Sequence, residues 1–231
     1  LAGRLQLDSL RLKGLDLSTV DLQLALAGGQ LTLKQFSAGV AGGQVTAEGA
    51  MDARQQPARY QVHKRVQGVN VRPLLQTLAQ SDLLEGKGDL EVQVQGTGLS
   101  EQALRDKMQG KVSLKLSDGA LHGINLAEMI REARATLTGK GTDQVKEARK
   151  TDFSALTASF QLANGVARSD DIQLFAPALR VRGQGQTALV PQTLDFLFLT
   201  SIVESSKGQG CKWVDELKDI TIPVRIGGHW Q

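Results

Sequence analysis

Leucine or valine recurs at every second position in short runs through residues 1–50, and the pattern returns from Gly86 and again from Phe153. A side-chain period of two sends alternate residues to opposite faces of a strand. Leu5 and Leu7, Leu10 and Leu12, Leu15 and Leu17, then Val20, Leu22, Leu24 and Leu26, then Leu31 and Leu33 therefore point one way. Gln6, Asp8, Arg11, Lys13, Asp16, Asp21, Gln23 and Thr32 point the other. The expected fold is mainly β with a few short α-helices (α+β): a long curved antiparallel sheet forming a groove, capped by amphipathic helices. Such a sheet must cover its apolar face, and the helical segments are too few to do so alone. Residues 1–231 read as a single domain, divisible into sub-blocks 1–70 and 71–231.

With 231 residues the chain can bury a core without staples. Cys211 is the single cysteine, so no internal disulfide forms, and it reads as an ordinary small side chain. The net charge is +3, with basic and acidic residues interleaved rather than striped, which excludes nucleic acid as an expected partner. Aromatic residues amount to 4%, which argues against stacking platforms for bases or sugars, whereas a leucine surface suits alkyl chains. The longest apolar stretch, 194–203, is interrupted by Asp195, Thr200 and Ser201 and has about half the length of a membrane helix. Its first part, 194–199, is apolar on both faces and reads as the most buried strand. The chain opens at Leu1 inside a strand pattern, without an initiator methionine or signal peptide, so anchors and targeting signals are expected outside it.

Short helices interrupt the strands. Residues 60–71 read as a strand pair carrying the charged run His63-Lys64-Arg65, a solvated face or edge. Pro73 suits a first helical turn, and Leu74, Leu75 and Leu78 form a stripe that stops before Glu85-Gly86. Ser100 is a good N-cap, Leu99 and Leu104 have staple spacing, Leu104 and Met108 make one face, and Gly110 closes that helix. The clearest helix begins at Asn125, with Glu128 three residues on and an apolar face of Leu126, Met129, Ile130, Ala133 and Leu137. Arg131, Glu132 and Arg134 lie opposite, so this helix either caps one end of the sheet or rests in lipid headgroups. A weaker helix spans 143–150, and a helical turn lies near Trp213 to Leu217. Asn164-Gly165 marks a turn, and Pro223 makes the last strand an edge or a bulge.

Local catalytic patterns are absent. Gly183 and Gly185 lack the third glycine of a dinucleotide fingerprint, Gly139-Lys140-Gly141 lacks the upstream glycine of a phosphate loop, and no cysteine or histidine has a partner at ligand spacing. His63, His122 and His229 lie far apart, and Asp170-Asp171 sits beside a turn. The expectation is no catalytic residue, no metal, no cofactor and no enzyme activity.

Several ordered blocks nevertheless belong together. Residues 118–126, Asp-Gly-Ala-Leu-His-Gly-Ile-Asn-Leu, are followed by 151–156, Thr-Asp-Phe-Ser-Ala-Leu, and 163–167, Ala-Asn-Gly-Val-Ala. With 176–181, 222–226, 67–75 and 110–112, this order resembles the C-terminal region of the AsmA family from about Tyr60 onward, while the first fifty residues match in style alone. The resemblance implies a Gram-negative envelope protein with its bulk in the periplasm, anchored to the inner membrane by an N-terminal segment outside this sequence. It also implies a part in outer-membrane biogenesis, with larger relatives carrying phospholipid along a β-sheet groove.

Residues and resemblance converge on a non-enzymatic module that binds or conducts phospholipid acyl chains. Leu22, Leu24, Leu26, Leu31, Leu33, Leu114 and Leu116 are the expected groove residues. A methylene in water costs about 0.8 kcal/mol, so a two-chain lipid crossing water faces on the order of 20 kcal/mol. An apolar trough removes most of that barrier. Two alternatives stay open: an interaction module that pairs sheet edges with outer-membrane protein clients, and a leucine face fully closed into a core.

Overall fold

A computed structural model of the chain describes residues 1–123, 125, 128, 149–177, 179–202 and 221–229. Twelve strands form one antiparallel sheet whose spatial order follows the sequence, β1 to β12. They are β1 (Ala2–Leu12), β2 (Leu15–Ala27), β3 (Gln30–Val40), β4 (Gly43–Asp52), β5 (Arg59–Asn70), β6 (Leu84–Thr97), β7 (Gln109–His122), β8 (Lys150–Ala163), β9 (Val166–Phe175), β10 (Leu179–Ala188), β11 (Thr193–Ile202) and β12 (Thr221–His229). Helix α1 (Val71–Ala79) joins β5 to β6, and α2 (Glu101–Lys107) joins β6 to β7. Each strand pairs with its sequence neighbour, across tight turns at most hairpins and across the longer stretches 123–149 before β8 and 203–220 before β12.

The tightest connections are written in the turn residues. Lys13-Gly14, Gly28-Gly29, Ala41-Gly42 and Asn164-Gly165 all have positive φ at both positions and join strands paired up to the flanking residue. Two left-handed central residues give a turn whose twist matches that of the strands, and glycine adopts the second position without strain.

The helices stand at opposite ends. α1 follows β5 beside the β1–β2 turn, where a Cβ on Gly14 would lie 2.9 Å from Thr77 Cγ2. Pro73 falls in its first turn, where the amide lacks an intrahelical acceptor. Ser100 caps α2, its Oγ accepting the Ala103 amide at 3.2 Å.

Two buried clusters lie at the α1 end. One joins Leu17, Val20, Ala38, Val45, Val66 and Val69 with Leu74 of α1 packed on it. The other joins Leu116, Phe153, Leu174, Ala176, Leu179 and Val181 with Val71 of α1 packed on it. One short helix thus touches both clusters, its apolar stripe set by helical spacing.

Several expectations need correction. Residues 60–71 hold no strand pair: β5 is one strand, bonded to β4 and β6, that ends in a bulge where Gly68 has φ +65°. The charged run His63-Lys64-Arg65 is therefore central and not at an edge. Gly110 belongs to β7 rather than ending α2, and Lys150 starts β8 rather than finishing a helix. The stretch 194–199 is not the most buried strand. Leu194, Phe196 and Phe198 are half-buried and Leu199 is 40% exposed, because β11 lies next to the edge strand β12 and only its neighbours cover it. Leu126, Met129, Ile130, Ala133 and Leu137, with Arg131, Glu132 and Arg134, the stretch 143–148 and the turn near 213–217 lie outside the described residues. The expected cap at Asn125 is present, since Asn125 Oδ1 accepts the Glu128 amide at 2.9 Å.

Candidate functional site: the apolar face

Directly paired residues of an antiparallel ladder project to the same side, so the register settles which side chains share a face. Leu24 opposes Leu33 and Leu26 opposes Leu31 across β2 and β3, and Leu22 opposes Leu5 and Phe36. Leu114 opposes Leu90 and Ala158, and Leu116 opposes Gly88 and Leu156. The rows run on through the intervening strands: Leu33, Gly49, Val62, Val94, Gly110 and Leu162 form one. The leucines expected at the site on β2, β3 and β7 thus lie on one continuous face.

Their exposure differs. Leu22, Leu24, Leu31, Leu33 and Leu114 are half-buried, while Leu26 is 49% exposed. Leu116 is fully buried in the cluster that Val71 packs against, so α1 covers it and it offers no surface of its own. Sequence reasoning missed other members: Phe36, Val92, Val112 and Phe160 stand on the same side through successive ladders. So do Phe196 and Phe198, whose rings stack at 6.1 Å between centroids. The period of two in their own strands was the available signal. At the α2 end, Tyr60 lies over Gly96, its hydroxyl is buried without a partner among the described residues, and burial raises its pKa.

The opposite face is polar and paired. Arg4 meets Asp21 at 2.6 Å, Arg225 meets Asp195 at 2.8 Å, and His63 lies between Glu48 at 3.3 Å and Glu91 at 2.8 Å. The hydrogen bond from Arg4 lowers the pKa of Asp21, and that from Arg225 lowers the pKa of Asp195. Near the α1 end Glu85 meets His122 at 2.9 Å, Lys150 at 3.1 Å and Arg72 at 3.4 Å, and its pKa is lowered chiefly by His122 and Lys150. An open hollow of about 770 Å³ crosses β3 to β8, and most of its lining, including Glu48, His63, Gln93, Gln95, Lys111 and Gln161, comes from these polar rows. Long polar side chains on neighbouring strands make up most of the wall of such a hollow.

Among the described residues no group of three or more His, Cys, Asp or Glu side chains is placed to hold a metal ion. No helix among them is long and apolar enough to cross a membrane.

The profile of the AsmA family matches residues 2–172, most of this sheet. The chain belongs to the AsmA family. The family match takes in β1 to β4, which the sequence blocks had linked to AsmA by style alone. Protein AsmA of Escherichia coli (strain K12) is 29% identical over an alignment covering 98% of this chain and 37% of that protein. The chain thus spans well under half the length of that AsmA relative. No solved structure matches it.

Proposed function

We propose that this AsmA-family sheet is a non-enzymatic module that binds or conducts the acyl chains of phospholipid along its apolar face, in outer-membrane biogenesis and lipid homeostasis. The observation that carries the reading is the largely apolar side that continues across the strands of the sheet, whose described helical cover is α1 at one end. Leu22, Leu24, Leu26, Leu31, Leu33 and Leu114 stand on it as contact surface, with Leu116 covered by α1. Shielding alone performs the work, since each methylene kept from water is worth about 0.8 kcal/mol. Selectivity for tails is loose and headgroups stay in solvent. Family membership supports an envelope setting: a periplasmic body held at the inner membrane by an anchor elsewhere in the full-length protein.

Native mass spectrometry of gently purified full-length protein tests this. Phospholipid should accompany the folded protein, and Leu24→Ser with Leu33→Ser should reduce the bound fraction. Folded wild-type protein that carries no lipid, and accepts none from vesicles, counts against the reading.

A second reading rests on the first and last strands of the described sheet, β1 and β12. Their outward backbone groups can accept a client strand. Photocrosslinking from Val224 on β12 separates the two, capturing outer-membrane polypeptide under this reading and lipid under the first.

A further inference from the structure

His63, Lys64 and Arg65 are adjacent in sequence and look like one solvated charge run, but the strand divides them. His63 and Arg65 stand on the polar side, both on Glu91. Lys64 stands on the other. It opposes Ala47 on β4 and Val92 on β6, and its neighbours along β5 on that side are Val62 and Val66. Between the row Leu31, Met51, Tyr60 and Gly96 and the row Val69, Gly88, Leu116 and Leu156, the register places no other charged side chain on the apolar face. Lys64 is exposed and makes no ion pair or side-chain hydrogen bond among the described residues.

Two ordinary roles do not fit. Lysines guard sheet edges against pairing, but β5 is hydrogen-bonded on both sides. Pairing across the ladder also fails, because both cross-strand neighbours are apolar. What remains is a flexible four-carbon stem that lies along apolar surface and carries a compact, strongly hydrated ammonium. An apolar field with one cation complements an amphiphile with hydrocarbon tails and one anionic head.

We propose that Lys64 is the headgroup anchor of the sheet, holding the phosphate of an anionic two-chain phospholipid whose tails lie on the leucine and valine rows around it. The inference rests on the acyl-chain reading given above and adds a fixed point to it. Measured along the sheet, β1 is four strand spacings from β5, about 19 Å, so a tail has room to extend from the anchor across Ala47, Phe36 and Leu22. Lipid then pauses at one position instead of sliding freely along the face.

The test uses full-length protein and vesicles that donate either fluorescent phosphatidylglycerol or fluorescent diacylglycerol with the same chains. Wild type should take up the phosphatidylglycerol in preference. Lys64→Met keeps the stem and removes the charge. It should weaken phosphatidylglycerol uptake about tenfold, the scale of one charge-assisted contact, while diacylglycerol uptake stays unchanged. Lys64→Arg should keep most of the preference. Equal uptake of each lipid by wild type and Lys64→Met overturns the anchor and leaves the acyl-chain reading standing. Loss of both lipids in a Lys64→Met protein with an unaltered melting temperature also overturns it, because the side chain then serves the tails and not the head. If wild type takes up neither lipid, the acyl-chain reading fails and the anchor falls with it.

Discussion

Glu91 Oε1 lies 2.8 Å from His63 Nε2, a diagonal contact between β6 and β5 that ties the two strands together on the polar side of the sheet. Hydrogen bonds from His63, then Arg65 and Gln93, hold the Glu91 carboxyl at about 2. A carboxylate held low in the folded state contributes stability above its ordinary value of 4.5, and loses it as pH falls toward about 2.

Glu91→Gln should therefore lower the urea midpoint at pH 7, and the gap to wild type should close as pH drops from 4.5 toward about 2. Urea titrations at several pH values check this. A gap that stays constant with pH would show that Glu91 contributes nothing through its charge.

Leu116 and Leu26 share a face and should respond in opposite ways. Leu116→Ala empties part of the buried cluster and should cost about 2–5 kcal/mol. Leu26→Ala, at a position 49% exposed, should change stability by no more than about 0.5 kcal/mol while reducing bound lipid. Urea unfolding and native mass spectrometry read the two effects separately.

Gly88 sets how closely α1 approaches the sheet. A Cβ there would lie 2.6 Å from Val71 Cγ2 and 3.0 Å from Leu116 Cδ2. Gly88→Ala should destabilise by about 1–3 kcal/mol through overpacking, and Val71→Ala in the same chain should recover part of the loss. A double-mutant cycle by urea unfolding measures that coupling.

Ser100→Ala removes the oxygen that accepts the Ala103 amide. The α2 turn should lose about 0.5–2 kcal/mol, seen as faster amide exchange in Glu101–Lys107 with little change in the strands away from it.

Much of this architecture was legible along the chain because it is local. Leu22, Leu24 and Leu26 recur at every second position, Asn164-Gly165 turns two strands back on each other, Ser100 caps its helix, and Pro223 lies where β12, among the described residues, has only β11 as a partner. Those features depend on φ preferences and side-chain periods that span a few residues. Burial and partnership depend on strands far apart in sequence. Leu116 and Leu26 carry the same side chain in the same alternation, yet α1 and the second cluster bury one and leave the other half in solvent. Residues 194–199 look like core but lie next to an edge strand, and that position is fixed by the order of all twelve strands. His63-Lys64-Arg65 reads as one charged patch until pairing with β4 and β6 places Glu48 and Glu91 around one side and Ala47 and Val92 around the other. Alternation names two faces for each strand, and long-range register then gives every side chain its neighbours.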